Sequence, residues 1–256
     1  MIKLCDTFKE IQTIGNDTID LILTDTPYGI NHNDGFIKAS KSTKAIKNNI
    51  LNDMPYDILW DVLLDEFYRI LKPGKMCYLF GRTDMFMRIG NNILNSKLKF
   101  NHDFIWRKGD MVHGNLGIFG TIHELLIGLS KGNPETARKV IIDGISKKRT
   151  KAEYCGKVSR KEYYGHPTQK PVGLLSYIIL SRTSENDVVF DPFCGVGSTL
   201  VACNVLNRQS IGYELDKEFY DLSIKRLSDK EHLKQYEKLK NGELRNIPIN
   251  GLTFNY

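Results

Sequence analysis

The chain has 256 residues, 41% hydrophobic and 26% charged, with a formal net charge of +6. That length suits one large α/β domain with a sizeable core, and no stretch approaches the ~20 apolar residues of a membrane span. The five cysteines, at positions 5, 77, 155, 194 and 203, form no Cys-x-x-Cys pair, which argues against disulfides and structural zinc and for a reducing, cytoplasmic setting.

In chain order, residues 1–5 read as a short strand with no apolar signal-peptide core behind it. A helical turn over 7–14 leads to a strand over 19–24, apolar along nearly its whole length, as a parallel strand covered on both faces is. After a polar stretch, Leu59, Val62, Leu63, Phe67, Ile70 and Leu71 recur at helical spacing over 56–71, and Pro73-Gly74 stop that helix. A strand over 75–80, a helix over 85–94 and strands over 99–106 and 124–129 come next. From 131 to 165 the chain turns polar and basic, which marks an insertion within a single domain spanning 1–256. Pro171 opens a helix toward Ser181. A strand over 187–190, a helix over 198–206, a strand over 210–213 and a charged helix from Lys217 toward Asn241 complete the pattern. Strands alternating with helices predict an α/β fold with a doubly wound, mostly parallel sheet, whose ligands bind beyond the carboxyl ends of its strands.

Two segments fall at that edge: Asp25-Thr26-Pro27-Tyr28 ends one strand, and Asp191-Pro192-Phe193-Cys194-Gly195-Val196-Gly197 ends another. The first combines a carboxylate, a stiff turn and an aromatic ring. An exocyclic base nitrogen is a poor nucleophile because its lone pair is delocalised into the ring. Two acceptors aimed at its hydrogens, the Asp25 carboxylate and the Thr26 carbonyl, shift it toward a nucleophilic form, and Tyr28 offers a stacking face for a base swung out of its helix. In the second segment Gly195 and Gly197 permit a tight turn close to a ligand and open a helix whose first N–H groups suit an anion. Glu214 ends the following strand 17 residues beyond Gly197, near the spacing at which an acid holds ribose hydroxyls. Pro192-Phe193 and the missing third glycine depart from the dinucleotide fingerprint and point to a smaller nucleoside. Alone, each segment also reads as an ordinary strand-ending turn. Together they predict methyl transfer to the amino group of a nucleic-acid base.

Asp191-Pro192-Phe193-x-Gly195-x-Gly197-Ser198-Thr199 resembles the cofactor motif of the amino-directed (N6-adenine/N4-cytosine) DNA methyltransferase family. Asp25-Thr26-Pro27-Tyr28 resembles the family's catalytic motif, with Thr26 where proline is usual. His166-Pro167-Thr168-Gln169-Lys170-Pro171 resembles the segment that enters a helix beside the methionine end of S-adenosylmethionine. The motif order is that of the permuted β class, and the resemblance covers nearly the whole chain outside 130–165 and the tail. It implies a Rossmann-like S-adenosylmethionine-dependent methyltransferase fold, methylation of adenine N6 on a flipped base in double-stranded DNA, and a restriction-modification setting. Aspartate at the first catalytic position leans toward adenine; cytosine N4, or the same chemistry on RNA, is the alternative. Carried over by position, Asp25, Thr26, Pro27 and Tyr28 are catalytic. Asp191, Phe193, Gly195, Gly197, Ser198 and Thr199 form the cofactor loop, Glu214 binds ribose, Asp6 meets the cofactor's adenine, Asp25 also binds the cofactor, and Thr168 and Lys170 are candidates for its methionyl end. A homodimer and a companion restriction enzyme stay open as partners; no membrane and no metal is implied.

The segment from Arg138 to Lys161 carries nine basic residues against Asp143 and Glu153, a net charge of +7 that suits a polyanion. Lys147, Lys148, Arg149, Lys151, Arg160 and Lys161, interleaved with Tyr154, Tyr163 and Tyr164, mark 131–165 as the expected target-recognition element. Lys38, Lys41, Lys44 and Lys47 recur every third residue after the catalytic motif and are candidates to follow a phosphate backbone. A solvated polar loop is the alternative for both segments. His102, His113 and His123 lack a tight metal-ligand spacing.

Overall fold

The computed structural model describes residues 1–26, 56–108, 122–138, 153–166, 168–237 and 239. Its strands are β1 (Ile2–Leu4), β2 (Ile19–Asp25), β3 (Leu71–Gly81), β4 (Lys99–Arg107), β5 (His123–Ser130), β6 (Glu153–Cys155), β7 (Val188–Asp191) and β8 (Gln209–Glu214). Its helices are α1 (Thr7–Glu10), α2 (Tyr56–Ile70), α3 (Thr83–Arg88), α4 (Gly90–Asn95), α5 (Val172–Arg182), α6 (Ser198–Val205), α7 (Lys217–Ser228) and α8 (Lys230–Lys234).

One sheet runs in the order β1-β8-β7-β2-β3-β5-β4-β6. Every neighbouring pair is parallel except the two that β5 makes, with β3 and with β4. The chain winds outward from β2 to β3, then returns to lay β7 on the other side of β2. The adjacent strands β2 and β7 are therefore followed by strands on opposite sides, β3 and β8, and a ligand crevice opens at such a switch point. Leu21 pairs with Val189 and Ile22 with Phe190, so the two motif-bearing strands are in direct register.

Burial follows the alternation of each strand. Leu21 and Leu23 of β2, with Tyr78, Phe80, Phe104, Trp106 and Leu126, face α5 and α6 on one side of the sheet. Ile22, Cys77, Leu79, Ile127 and Phe190 face α2, α3 and α4 on the other. Leu59, Trp60, Leu63, Leu64, Phe67 and Ile70 form the buried stripe of α2, whereas Val62, expected in that stripe, lies on its outer face. Phe67 is completely buried, and its truncation to alanine would cost about 3–5 kcal/mol. α5 is buried almost all round because α6 packs beside it as well as the sheet beneath.

Four local features depart from the sequence-based expectation. β3 begins at Leu71 rather than after Pro73-Gly74, since Ile19 pairs with Leu71 before the register jumps to Leu21 with Met76. Gly74, at φ 78°, sits in that irregularity, where proline needs no ladder partner. The single helix over 85–94 is two short ones, broken where Ile89 leaves helical geometry ahead of Gly90. Asp229 ends α7 and caps α8 by accepting from the His232 N–H at 2.9 Å, so one helix does not run on from Lys217. Within 131–165, Glu153–Cys155 joins the sheet as β6; three residues are too short for alternation to mark.

Candidate active site

The carboxyl edge of the sheet gathers acids from separate strands. Asp25 and Asp191 end β2 and β7, Glu214 ends β8, and Asp6 follows β1. β5 runs the opposite way, so its start, not its end, reaches the same edge and adds Glu124. In the register of the pairs, Asp25 lies opposite Phe80 and Trp106 lies opposite Glu124. All four residues stand on the sheet face that α5 covers, and Lys170 sits just ahead of α5.

The glycine turn is held from several directions. Gly195 and Gly197 take left-handed backbone, φ 52° and 73°, which a side chain would strain. The Gly195 N–H donates to Glu214 Oε2 at 2.8 Å, and the Asp216 N–H donates to Glu214 Oε1 at 2.8 Å. The Thr7 hydroxyl donates to the Pro192 carbonyl, which ties the turn to α1. From α7, the fully buried Arg226 donates through Nη1 to the Val196 carbonyl at 3.2 Å and to Ser198 Oγ at 2.9 Å. Ser198 is thus turned into the protein, and Thr199 is buried beside it. Phe193 is half-buried and tilts against Phe8, ring centroids 6.3 Å apart.

Asp6 caps α1, its Oδ1 accepting from the Phe8 N–H at 3.0 Å. Its Oδ2 is buried with no hydrogen-bond partner among the described residues and lies 3.8 Å from Lys9 Nζ.

The segment from His166 to Lys170 bridges the two turns. The His166 ring lies against Gly195, where a Cβ would meet Cδ2 at 3.4 Å, and packs on Phe219 at 4.4 Å between centroids. Its Nδ1 lies 3.2 Å from the Thr168 N–H and hydroxyl. Two residues on, Lys170 Nζ donates to Asp25 Oδ2 at 2.5 Å and lies 3.5 Å from Glu124 Oε2. The Lys170 side chain is only 7% exposed and its ammonium sits over the Phe80 and Trp106 rings, at 5.2 and 5.7 Å. Glu162 anchors the stretch, accepting from the Val172 N–H at the start of α5.

Electrostatics at this edge are set by burial and by these partners. Burial pushes the Lys170 ammonium down, but the Asp25 and Glu124 carboxylates outweigh it and hold the group above the ordinary lysine value. Burial pushes the Asp191 carboxyl up to about 6, against hydrogen bonding from the Thr199 hydroxyl and the Phe193 N–H. Burial likewise raises Glu214, opposed by the backbone N–H groups of Asp216, Gly195 and Leu215, and lowers His166, opposed by nearby Asp25.

The structure therefore brings Asp6, Asp25, Thr26, Thr168, Lys170, Asp191, Phe193, Gly195, Gly197, Ser198, Thr199 and Glu214 to one edge. Arg160 and Lys161 are exposed on the chain that leads into it. Pro27, Tyr28, Lys38, Lys41, Lys44, Lys47, Lys147, Lys148, Arg149 and Lys151 lie outside the described residues. Sequence reasoning missed Glu124, Phe80, Trp106 and Arg226. Glu124 reads as an acid before an apolar run, and nothing local signals that a reversed strand carries it to Lys170. Among the described residues no group of His, Cys, Asp or Glu is arranged to hold a metal ion, and no helix is long and apolar enough to cross a membrane.

A family model described as DNA methylase matches residues 19–225. The chain is 30% identical over 240 residues to the Type II methyltransferase M.HinfI of Haemophilus influenzae, a match covering 88% of this chain and 67% of that one. It is 28% identical over 239 residues to the Type II methyltransferase M2.DpnII of Streptococcus pneumoniae, covering 87% of each. Among solved structures, the M1.HpyAVI–SAM complex superposes with a TM-score of 0.66 at 23% identity, over 89% of this chain and 98% of that one. PvuII DNA methyltransferase (cytosine-N4-specific) superposes with a TM-score of 0.70 at 16% identity, over 94% and 93%. At those identities the superpositions speak for a shared fold.

Proposed function

The chain belongs to the DNA methylase family, and on that premise we propose that it transfers a methyl group from S-adenosylmethionine to adenine N6 of a base swung out of double-stranded DNA at a specific site. The observation that carries this reading is the bond from Lys170 to Asp25, which couples the catalytic turn to the segment packed on Gly195. The residues at that edge fit a nucleoside sulfonium. Asp6 Oδ2 is a buried acceptor without a hydrogen-bond partner among the described residues, suited to an adenine amino group. The Glu214 carboxylate accepts from the Gly195 and Asp216 N–H groups and, with two lone pairs on each oxygen, has acceptor capacity for a ribose hydroxyl. Gly195 and Gly197 let backbone approach where a side chain would intrude.

When bound, S-adenosylmethionine would supply an electrophilic methyl carbon: the amino nitrogen's lone pair forms the new N–C bond, the C–S electrons stay on sulfur, and the nitrogen's proton passes through Asp25 to water. Asp25 accepts one amino hydrogen and the Thr26 carbonyl the other, which draws the nitrogen toward a tetrahedral, nucleophilic geometry. Tyr28 stacks on the base. Positioning and preorganised charge then account for most of the acceleration. Aspartate rather than serine at position 25 favours adenine N6 over cytosine N4.

Transfer of tritiated methyl groups to duplex DNA and to RNA, followed by analysis of the labelled nucleosides, tests this. N6-methyladenine in DNA is the expected product. N4-methylcytosine would move the target to cytosine, label in RNA would change the substrate, and no label in either would end the reading. Asp25→Ala is expected to lower transfer by about 10²–10⁴-fold while calorimetric binding of S-adenosylmethionine persists.

A further inference from the structure

Lys170 stands between two carboxylates and is held unequally, closely by Asp25 and at longer range by Glu124. Its ammonium is 2.5 Å from Asp25 Oδ2 and 3.5 Å from Glu124 Oε2, and the latter oxygen is buried without a hydrogen-bond partner among the described residues. The other Glu124 oxygen is fixed by Lys108, which lies over the Trp106 ring at 5.0 Å. Glu124 is therefore anchored by Lys108 on one side and paired with Lys170 on the other at a distance longer than a charge-assisted hydrogen bond. A charge-assisted N–H···O bond is about 2.7–2.9 Å long, so a shift of less than about 1 Å would complete the second contact.

We infer that Glu124 is the alternate counter-ion of Lys170, a positioning residue that takes the ammonium when the amino group of the target base engages Asp25. This rests on the methyl-transfer reading. While Lys170 is bonded to Asp25, the base's amino hydrogens compete with an ammonium for the same carboxylate. The nitrogen also gains positive charge as the methyl group arrives, and an adjacent cation opposes that. Moving Lys170 toward Glu124 relieves both and keeps the buried cation paired, where a lone buried charge would be strongly destabilising. The Phe80 and Trp106 rings flank the ammonium and hold the short path between the two acids.

Two measurements on the full chain test the assignment. Under saturating S-adenosylmethionine and duplex DNA, Glu124→Gln is expected to lower the single-turnover rate of methyl transfer at least tenfold, with the Kd for each ligand unchanged. Without ligands, Asp25→Asn and Glu124→Gln are each expected to shift Tm little, while the double variant loses several degrees more than their sum, because Lys170 then has neither acid. A rate equal to wild type, a loss traced to ligand affinity, additive Tm shifts, or unfolding of Glu124→Gln alone would each overturn it. A wild-type chain that methylates no DNA would overturn the methyl-transfer reading instead; an active wild type with an equally active Glu124→Gln removes only the role of Glu124.

Discussion

Asp191 shows what a single buried acid does to this fold. It is 4% exposed, its Oδ1 accepts from the Phe193 N–H at 3.2 Å, and its carboxyl titrates near 6 instead of 3.8. Because the folded pKa is raised, the folded state holds the proton more tightly than the unfolded chain. The stability this contributes is full below the unfolded value and is lost as pH rises through about 6. Asp191→Asn keeps the acceptor for Phe193 and removes the titration. It is therefore expected to raise Tm at neutral pH and to flatten the change in stability between about pH 4 and pH 6; an unchanged pH profile in thermal unfolding would assign that change to another group. Lys170 shows the limit of reading residues singly. In the sequence it is a lysine ahead of a proline and a helix start, which a solvated side chain fits equally well. Only the pairing of Asp25 with Phe80 and of Trp106 with Glu124 surrounds it with acids and rings.

The elements themselves are largely legible. Apolar β-branched runs mark β2 and β7, and glycine or aspartate at their ends marks the turns that carry the chemistry. What cannot be read is the support behind those turns, because it comes from elements distant in the chain. Arg226 lies one turn from the end of α7 in a charged stretch that looks solvent-facing, yet it is fully buried and grips the glycine turn through Val196 and Ser198. Its Nε also donates to His232 Nε2 at 3.0 Å, so α8 stiffens the same contact. Arg226→Met leaves those acceptors unpaired. It is expected to cost about 1–3 kcal/mol of stability and to weaken S-adenosylmethionine binding by about tenfold, equivalent to ~1.4 kcal/mol. Thermal unfolding and calorimetric titration measure the two effects separately. Loss of stability with unaltered affinity would mean that the turn keeps its shape without the guanidinium.

Across the whole molecule, charge is concentrated rather than spread. The net charge is +6, and the segment from Arg138 to Lys161 alone carries +7. A duplex bound by such lysines would release counter-ions from its phosphates. Replacing Lys38, Lys41, Lys44 and Lys47 by glutamine is expected to weaken binding to all DNA sequences alike. It should also flatten the plot of log affinity against log salt by about 0.9 for each phosphate no longer neutralised. An unchanged slope in fluorescence-anisotropy titrations would remove these lysines from the interface. The two ends of the sheet, β1 and β6, are three residues each, too short to invite pairing with another chain. The reversed strand β5 makes the molecule vulnerable in a different way. Its pleat presents Glu124 and Leu126 to one side and Leu125 and Ile127 to the other, so a slip of a single position would exchange them. A descendant missing one residue ahead of Leu125 would keep every recognisable signature intact, yet it would turn an aliphatic side chain toward Lys170: a decoy indistinguishable from its working parent by motif alone.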